Sequence, residues 1–224
     1  MSDPVIIITG GHGVLGSAAA AAAAGQGWRI AVIDHARDDA PGAALTLSGV
    51  DLTDAGQAEQ AVQAVADSLG RIDALLNIAG GFVWQTMDGD PAAWGRMHAL
   101  NLTTALNASR AALPWLKQAP EGRIVNVGAA GAVKAAAGMG AYAASKAGVH
   151  RLTESLAEEL KDTSVTVNVV LPSIIDTPAN RADMGEANAH KWVRPEDLAA
   201  VMLFLASPAA RAVTGALIPV TGRV

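Results

Sequence analysis

The chain of 224 residues contains no cysteine, which excludes a disulfide framework and thiol chemistry. Aromatic residues are few, and the only tyrosine is Tyr142. No apolar run approaches the roughly 18 residues that a membrane-spanning helix needs. The formal net charge of −5 argues against nucleic acid as a partner. Because the five histidines lack metal-ligand spacing, no metal site is predicted.

Apolar residues make up 51% of the chain, so burial of a sizeable core is not limiting. The length suits one α/β domain, and no linker or internal repeat is apparent, so residues 1–224 are predicted to form a single dinucleotide-binding domain. The first strand is predicted to begin at residue 5, which leaves no room for a signal peptide. We therefore expect a cytoplasmic protein with no membrane or nucleic-acid partner.

Segments typical of strands and helices alternate along the chain. Strands are predicted at residues 5–8, 29–33, 45–50, 72–77, 123–127, 165–170 and 216–220. Helices are predicted at residues 17–24, 54–69, 94–117, 139 or 141 to 160, and 195–206, with Pro114 bending or ending the third. This order favours an α/β, Rossmann-type doubly wound parallel sheet of about seven strands with helices on both faces. Ligands of such sheets bind at the carboxyl ends of the strands.

A glycine-rich turn follows the first predicted strand and precedes an alanine-rich helix. Gly10 permits a tight turn, Gly13 lets the main chain approach a pyrophosphate, and Gly16 lets the helix pack close to the sheet. The free N–H groups of the helix N-terminus would face the phosphates. The alternative is a glycine-rich turn that binds no ligand, but the strand and helix around it favour a dinucleotide site.

Asp34 stands at the carboxyl end of the second predicted strand, 18 positions after Gly16. A carboxylate at this spacing accepts hydrogen bonds from ribose hydroxyls and repels a 2′-phosphate. NAD(H) is therefore the preferred cofactor, with NADP(H) as the alternative because Arg37 is close enough in sequence to weaken the discrimination. The alternative is that Asp34 is an ordinary loop carboxylate at a strand end that binds no ribose.

Tyr142 and Lys146 are four positions apart on a predicted helix and so share one face. A free phenol has a pKa of about 10, and a neighbouring cation is expected to favour the phenolate. The pair could therefore transfer a proton near neutral pH. The alternative is a half-buried tyrosine beside a solvated lysine.

Order and spacing of several motifs resemble the short-chain dehydrogenase/reductase superfamily over nearly the whole length. The matching residues are 9–16, Asp51, Leu52, 77–80, Asn101, 142–146 and 172–177. Within it, the chain is most similar to the dihydropteridine reductases. That similarity is carried by Gly10, Gly11, Gly13, 79–81, Gly138, Met139, 170–172, 176–178, Asn180, Arg181, Met184 and 215–218.

The resemblance implies roles for individual residues. It implies that Tyr142, Lys146 and Asn101 are catalytic, with Asn101 anchoring a water next to the lysine. It implies cofactor binding by Gly10, His12, Gly13, Val14, Leu15, Gly16, Asp34, Asp51, Leu52, Asn77, Ala79, Gly80, Tyr142, Lys146, Pro172, Ile175 and Thr177. It also implies a small-molecule substrate and a homo-dimer or homo-tetramer, with small residues of the helices from 94 and 141 in the interface.

Structural alternatives stay open at several of these positions. Asp51 could belong to a helix N-terminus, Asn77 could only steady a strand, and Asn101 could only kink a helix. Ser145 is interpreted as a packing residue on another face. Trp84 and Trp192 are aromatic candidates for lining a flat substrate, although most tryptophans are core or interface residues.

The superfamily usually carries a catalytic serine where this chain has Ala129, and the neighbouring residues offer no hydroxyl. Loss of such a donor typically costs about 10²–10³ in rate for carbonyl chemistry. The resemblance to dihydropteridine reductases, which have alanine there, predicts a reductase of a quinonoid dihydropterin or another activated ring. The alternatives are a general carbonyl or quinone reductase, or a dinucleotide-binding sensor or scaffold. Intact Asn101, Tyr142 and Lys146 argue against the last.

Overall fold

The computed structural model describes residues 3–37, 40 and 42–224. The strands are β1 (Val5–Thr9), β2 (Arg29–Asp34), β3 (Leu45–Ser48), β4 (Ala74–Asn77), β5 (Arg123–Val127), β6 (Thr166–Pro172) and β7 (Leu217–Val220). They form one parallel sheet in the order β3-β2-β1-β4-β5-β6-β7. The order reverses between β1 and β4, and a crevice opens there at the carboxyl ends of the strands.

The helices are α1 (Val14–Gly25), α2 (Ala55–Leu69), α3 (Ala92–Met97), α4 (Thr104–Leu116), α5 (Gly140–Glu159), α6 (Pro178–Met184) and α7 (Pro195–Ala206). Helices α1 and α7 pack together on one face of the sheet, and α2, α4 and α5 cover the other. Every residue of β1, β4, β5 and β6 is buried, as expected for strands covered on both faces. In the part of the chain described, no helix has the length and apolar character to cross a membrane.

The predicted fold class is confirmed, and the differences lie at element ends. Strand β3 ends at Ser48 rather than Val50, and β6 continues to Pro172. Helix α1 begins at Val14, three residues before the predicted start, because the helical backbone follows the glycine turn directly. Helix α6 was not predicted, since its short segment carries no apolar periodicity; Thr177 caps it by accepting a hydrogen bond from the Asn180 N–H at 3.1 Å.

The long helix predicted for residues 94–117 is present as a continuous helical stretch from Ala92 to Leu116, but its middle is not α-helical. A π-helical segment, His98–Thr103, separates α3 from α4. Such a widened turn is common at functional sites, and this one contains Asn101. Pro114 does not end the helix, because α4 continues past it to Leu116.

Candidate active site

A cavity of about 1000 Å³ lies at the carboxyl ends of the strands, beside the point where the strand order reverses. Twelve of the predicted cofactor-binding residues line it: Gly10, Gly13, Val14, Leu15, Gly16, Asp34, Asp51, Leu52, Ala79, Gly80, Ile175 and Thr177. Residues far apart in sequence thus meet at one edge of the sheet.

The glycine turn is shaped for close approach of another group. Gly10 has φ +70, a conformation that favours glycine, and its N–H donates to the Ile33 carbonyl at 3.0 Å. A Cβ on Gly16 would lie 2.2 Å from the Gly10 carbonyl oxygen, so no larger residue fits without displacing the turn. The N-terminus of α1 has no side-chain cap and no acidic residue in its first turn. Its N–H groups are therefore available to an anion, which fits a dinucleotide pyrophosphate.

Asp34 closes the other side of this turn. Its Oδ2 accepts from the His12 N–H at 2.9 Å and its Oδ1 accepts from the Ala36 N–H at 3.0 Å. These bonds fix the carboxylate at the cavity edge, where a ribose hydroxyl could donate to the remaining lone pairs. The His12 side chain does not line the cavity, but its Nε2 is buried and lacks a hydrogen-bond partner among the described residues.

Asp51 and Leu52 form the far end of the cavity, after β3. The Asp51 Oδ1 accepts from the N–H and the hydroxyl of Thr53 at 2.9 and 2.7 Å, which lowers the pKa of the Asp51 carboxyl. Asn107 of α4 holds this loop in place, since its Nδ2 donates to the carbonyls of Leu52 and Thr53 at 3.0 and 3.1 Å. No local sequence pattern points to Asn107, because its partners are 54 and 55 positions away.

Asn77 and Pro172 do not line the cavity. The Asn77 Nδ2 donates to Asn126 Oδ1 at 2.8 Å and to Ser109 Oγ at 3.0 Å inside the molecule. Its side chain therefore joins β4 to β5 and α4, which is the structural alternative for this residue. Pro172 is buried at the end of β6.

Tyr142 is half-buried near the start of α5 and is covered by an aromatic ring. The rings of Phe82 and Tyr142 meet edge to face, with centroids 4.9 Å apart. Burial raises the pKa of the Tyr142 phenol to about 12. The expectation that Lys146 would bring the phenol closer to neutral pH is therefore wrong for this structure, because removal from water outweighs any attraction to the ammonium.

Lys146 is 5% exposed, and its Nζ donates to the Val127 carbonyl at the end of β5 at 2.8 Å. Burial lowers the pKa of Lys146 to about 8. A Cβ on Gly80, which lines the cavity, would lie 3.4 Å from the Nζ. The ammonium thus lies just behind the cavity wall, one helical turn after Tyr142.

Asn101 connects the π-helical segment to the loop after β4. Its Oδ1 accepts from the Gly81 N–H at 3.0 Å, and its Nδ2 donates to the Gly81 carbonyl at 3.0 Å. The same Nδ2 lies 3.0 Å from Ser145 Oγ, and that hydroxyl donates to the Tyr142 carbonyl at 2.7 Å. The interpretation of Ser145 as a packing residue is therefore wrong, since its hydroxyl joins Asn101 to the helix that carries Tyr142 and Lys146.

Ala129 is 3% exposed and extends from the end of β5. Residues 128–132 carry no hydroxyl. The Ala129 N–H donates to Nε2 of His150, which is 3% exposed, at 3.3 Å. Sequence reasoning missed His150, although it stands four positions after Lys146 on the same helix.

The aromatic candidates for lining a substrate site differ in exposure and location. Trp84 is 59% exposed, and its Nε1 donates to the Ala137 carbonyl at 3.1 Å, so it joins the loop after β4 to the loop before α5. Trp192 is 7% exposed and belongs to the interior. Phe82, which lies on Tyr142, is 58% exposed. Phe82 therefore offers exposed apolar surface beside the Tyr142 ring, and Trp84 offers exposed apolar surface beside the loop before α5, whereas Trp192 is buried.

Comparison with known proteins agrees with this geometry. The family model described as short chain dehydrogenase matches residues 4–187. The chain is 33% identical to 2-(S)-hydroxypropyl-CoM dehydrogenase 3 of Xanthobacter autotrophicus, over 99% of this chain and 96% of that protein. Ligand-free aldohexose dehydrogenase of Thermoplasma acidophilum superposes with a TM-score of 0.89 at 25% identity, over 99% of this chain and 93% of that one. Levodione reductase superposes with a TM-score of 0.88 at 25% identity, over 99% and 97%. The chain belongs to the short-chain dehydrogenase family and is an oxidoreductase.

Proposed function

We propose that the chain is an NADH-dependent reductase of an activated, planar ring, with a quinonoid dihydropterin as the substrate class that fits best. The observation that carries this proposal is Ala129, whose methyl group stands where a carbonyl reductase of the family would place a hydroxyl. A simple ketone needs that donor to stabilise the oxyanion that develops in the transition state. A quinonoid ring is already a strong hydride acceptor, because reduction restores a more stable ring system, and it needs a proton donor instead.

The cofactor half of the site fits NAD(H). The pyrophosphate would be held by the N–H groups at the start of α1, and the ribose hydroxyls by Asp34 and Lys146. Asp51 would contact the adenine, and Thr177 would contact the nicotinamide carboxamide. When bound, the reduced nicotinamide supplies the hydride. Short-chain dehydrogenases use NAD(H) or NADP(H), and the charge of Asp34 supports the first.

Tyr142 would supply the proton that accompanies the hydride. Burial raises the pKa of the phenol to about 12, so Tyr142 carries its proton at neutral pH and is able to donate it as a general acid. The O–H bond breaks as the substrate nitrogen or oxygen gains the proton, and the ring gains two electrons in total. The Lys146 ammonium, held by the Val127 carbonyl at 2.8 Å, would stabilise the phenolate left behind.

The apolar surface beside Tyr142 supports a flat substrate. The Phe82 ring contacts Tyr142 by its edge-to-face pairing while 58% of the residue remains exposed, and Trp84 is similarly exposed. Aromatic faces of this kind stack on planar rings.

A general carbonyl or quinone reductase is the second candidate. The names of relatives such as the hydroxypropyl-CoM and aldohexose dehydrogenases favour carbonyl and alcohol chemistry. A binding-only sensor or scaffold is less well supported, because it would not need Asn101, Tyr142 and Lys146 together.

The deciding experiment follows NADH oxidation at 340 nm with a quinonoid dihydropterin, a naphthoquinone and a set of simple ketones. We expect the highest kcat/KM with the quinonoid dihydropterin and the lowest with the ketones. Efficient ketone reduction without pterin reduction would overturn the first candidate in favour of the second. Cofactor binding with no turnover of any substrate would support a sensor.

We also propose that the chain forms a homo-dimer or homo-tetramer, as its family resemblance implies. Of the small residues suggested for the interface, Ala105, Ala108 and Ala143 are buried within the chain itself, whereas Ala144 is exposed and Ala111 and Ala147 are partly exposed. The exposed side chains of Trp94 and Leu100, at 41% and 42%, remain available on the same helical region. Light scattering at micromolar concentration tests the proposal, and a monomer would contradict it.

A further inference from the structure

His150 is a buried histidine on the helix of Tyr142 and Lys146, and it takes no direct part in the proposed hydride or proton transfer. It is 3% exposed and lies one turn after Lys146 on α5, which aligns it with Tyr142 and Lys146 on one stripe of the helix. Burial of an imidazole is unfavourable unless its polar atoms find partners. The Nε2 atom finds one in the Ala129 N–H, at 3.3 Å.

The residue before Ala129 makes room for the same ring. A Cβ on Gly128 would lie 2.5 Å from the His150 Nε2, so the imidazole occupies the space that any side chain at position 128 would take. Gly128 itself is held from the sheet by its N–H, which donates to the Val170 carbonyl at 2.9 Å. Two consecutive residues of the chain are therefore fitted to His150, one by its missing side chain and one by its N–H.

The stripe on α5 holds the end of β5 at two points. Lys146 Nζ donates to the Val127 carbonyl at 2.8 Å, and two residues later the Ala129 N–H donates to His150. Val127 lines the cavity. Ala129, two residues further on, takes the place of the superfamily's serine according to the family resemblance. The side chain at position 129 can face the reacting atom only if the main chain there is held in place.

We propose that His150 is a positioning residue for the reductase, fixing the main chain at Gly128 and Ala129 as the wall of the substrate pocket beside Tyr142. This inference rests on the proposed function for the identity of the substrate. The contact between His150 and the Ala129 N–H does not depend on that function. The imidazole must be neutral to act, since only an unprotonated Nε2 can accept. Burial, together with the charges of Arg151 and Lys146, lowers the pKa of His150 and so favours the neutral form.

A matched pair of amides tests the inference. In His150→Gln the side-chain oxygen can reach the position of Nε2 and accept from the Ala129 N–H, whereas in His150→Asn it is one methylene short. Thr153→Val is the control for loss of a buried hydrogen bond on α5. Thr153 accepts from the Asn126 side chain of β5 and donates to the Val149 carbonyl, and neither bond involves Gly128 or Ala129.

The first measurement is hydrogen exchange of the Ala129 N–H in the folded protein, which needs no substrate. We expect exchange about tenfold faster in His150→Asn and near wild type in both His150→Gln and Thr153→Val. NADH affinity, measured by fluorescence titration, should stay within about twofold in all three variants, since the dinucleotide contacts lie elsewhere. Unchanged exchange in His150→Asn would overturn the inference.

The second measurement separates KM from kcat with a quinonoid dihydropterin and a naphthoquinone. We expect His150→Asn to raise KM about tenfold with kcat nearly kept, because Tyr142 and Lys146 stay in place while the wall moves. His150→Gln should restore most of the loss. An equal rise in KM for Thr153→Val, or no rescue by Gln, would overturn the positioning role. If neither probe is reduced by the wild type, the proposed function fails while the exchange experiment still decides the role of His150.

Discussion

The cofactor half of the site, around Gly10 and Asp34, lines the cavity and is built mainly from main-chain groups, whereas the catalytic half, around Tyr142, is built from buried side chains that do not line it. In the first half, missing Cβ atoms and free N–H groups create the space and the hydrogen bonds. In the second half, Lys146 and His150 are each at most 5% exposed, and each is bonded to the main chain after or at the end of β5.

This difference has an energetic consequence. A glycine turn that faces solvent can be altered with loss of binding but little loss of folding, provided that the new side chain finds room. A buried ammonium or imidazole is costly unless its hydrogen bond is kept. We therefore expect substitutions in the cofactor half to change cofactor affinity, and substitutions of the buried side chains in the catalytic half to change stability together with kcat or with the KM for the substrate.

The strongest way to separate the two halves is Tyr142→Phe, which removes the proposed proton donor but keeps the ring beside Phe82. Loss of general acid catalysis should lower kcat by about 10²–10⁴. NADH affinity should change little, since the glycine turn, Asp34 and Lys146 remain. Steady-state kinetics and fluorescence titration measure the two effects. A Phe variant with nearly full activity would mean that the substrate takes its proton from water.

Ala129→Ser tests the chemistry assigned to the catalytic half. The new hydroxyl should raise kcat/KM for simple ketones toward the about 10²-fold that an oxyanion donor is typically worth. Reduction of a quinonoid dihydropterin should stay unchanged or fall slightly, because the hydroxyl has no developing oxyanion to stabilise there. The measured quantity is the ratio of kcat/KM for ketone and pterin, before and after the substitution. If this ratio is unchanged by the substitution, Ala129 does not determine which substrate is reduced.

The two halves also differed in what the sequence could foretell. The succession of strands and helices, the glycine turn and the position of Asp34 at a strand end followed from local patterns, because each depends on residues close together in the chain. Asn107, Ser145 and His150 act through partners brought together by the fold, such as Ser145 with Asn101, 44 positions away. The π-helical segment at His98–Thr103 likewise has no local signature, since its residues are ordinary helix formers.

The raised pKa of Tyr142 belongs to the same class of unpredictable properties. The sequence shows a cation four positions away, but it does not show that Phe82, 60 positions earlier, covers the phenol. Helical spacing predicts that the Lys146 charge lies near Tyr142. It does not predict how far the phenol is removed from water, because Phe82 comes from the loop after β4.

A smaller effect is expected from Asp34→Ser in the cofactor half. Removing the carboxylate should shift the ratio of the NADPH and NADH dissociation constants toward NADPH by about 1–3 kcal/mol, because like-charge repulsion of the 2′-phosphate is lost. Turnover at saturating NADH should stay near wild type, in contrast to Tyr142→Phe. Equal affinity of the wild type for both cofactors would refute the preference and direct attention to Arg37 or His12.

The last expected effect is on stability as a function of pH, and it is confined to the catalytic half. Burial lowers the pKa of Lys146 from 10.5 to about 8 and raises that of Tyr142 from 10.0 to about 12. Between about pH 8 and 10.5 the unfolded chain holds a proton on Lys146 that the folded chain has released. The free energy of unfolding should therefore rise with pH in this window through Lys146, by at most about 1.4 kcal/mol per pH unit.

Tyr142 acts with the opposite sign in the next window. Between about pH 10 and 12 the folded chain keeps the phenol proton that the unfolded chain has lost, so its contribution to the free energy of unfolding falls as pH rises. Urea unfolding without cofactor at pH 7.5, 8.5 and 9.5 isolates the lysine contribution, and Lys146→Met should flatten the rise relative to the wild type. An Asp34→Ser control should keep the wild-type slope, because it leaves the surroundings of Lys146 and Tyr142 unchanged. A Lys146→Met variant with an undiminished slope would show that the ammonium is solvated, and the catalytic half would then resemble the cofactor half after all.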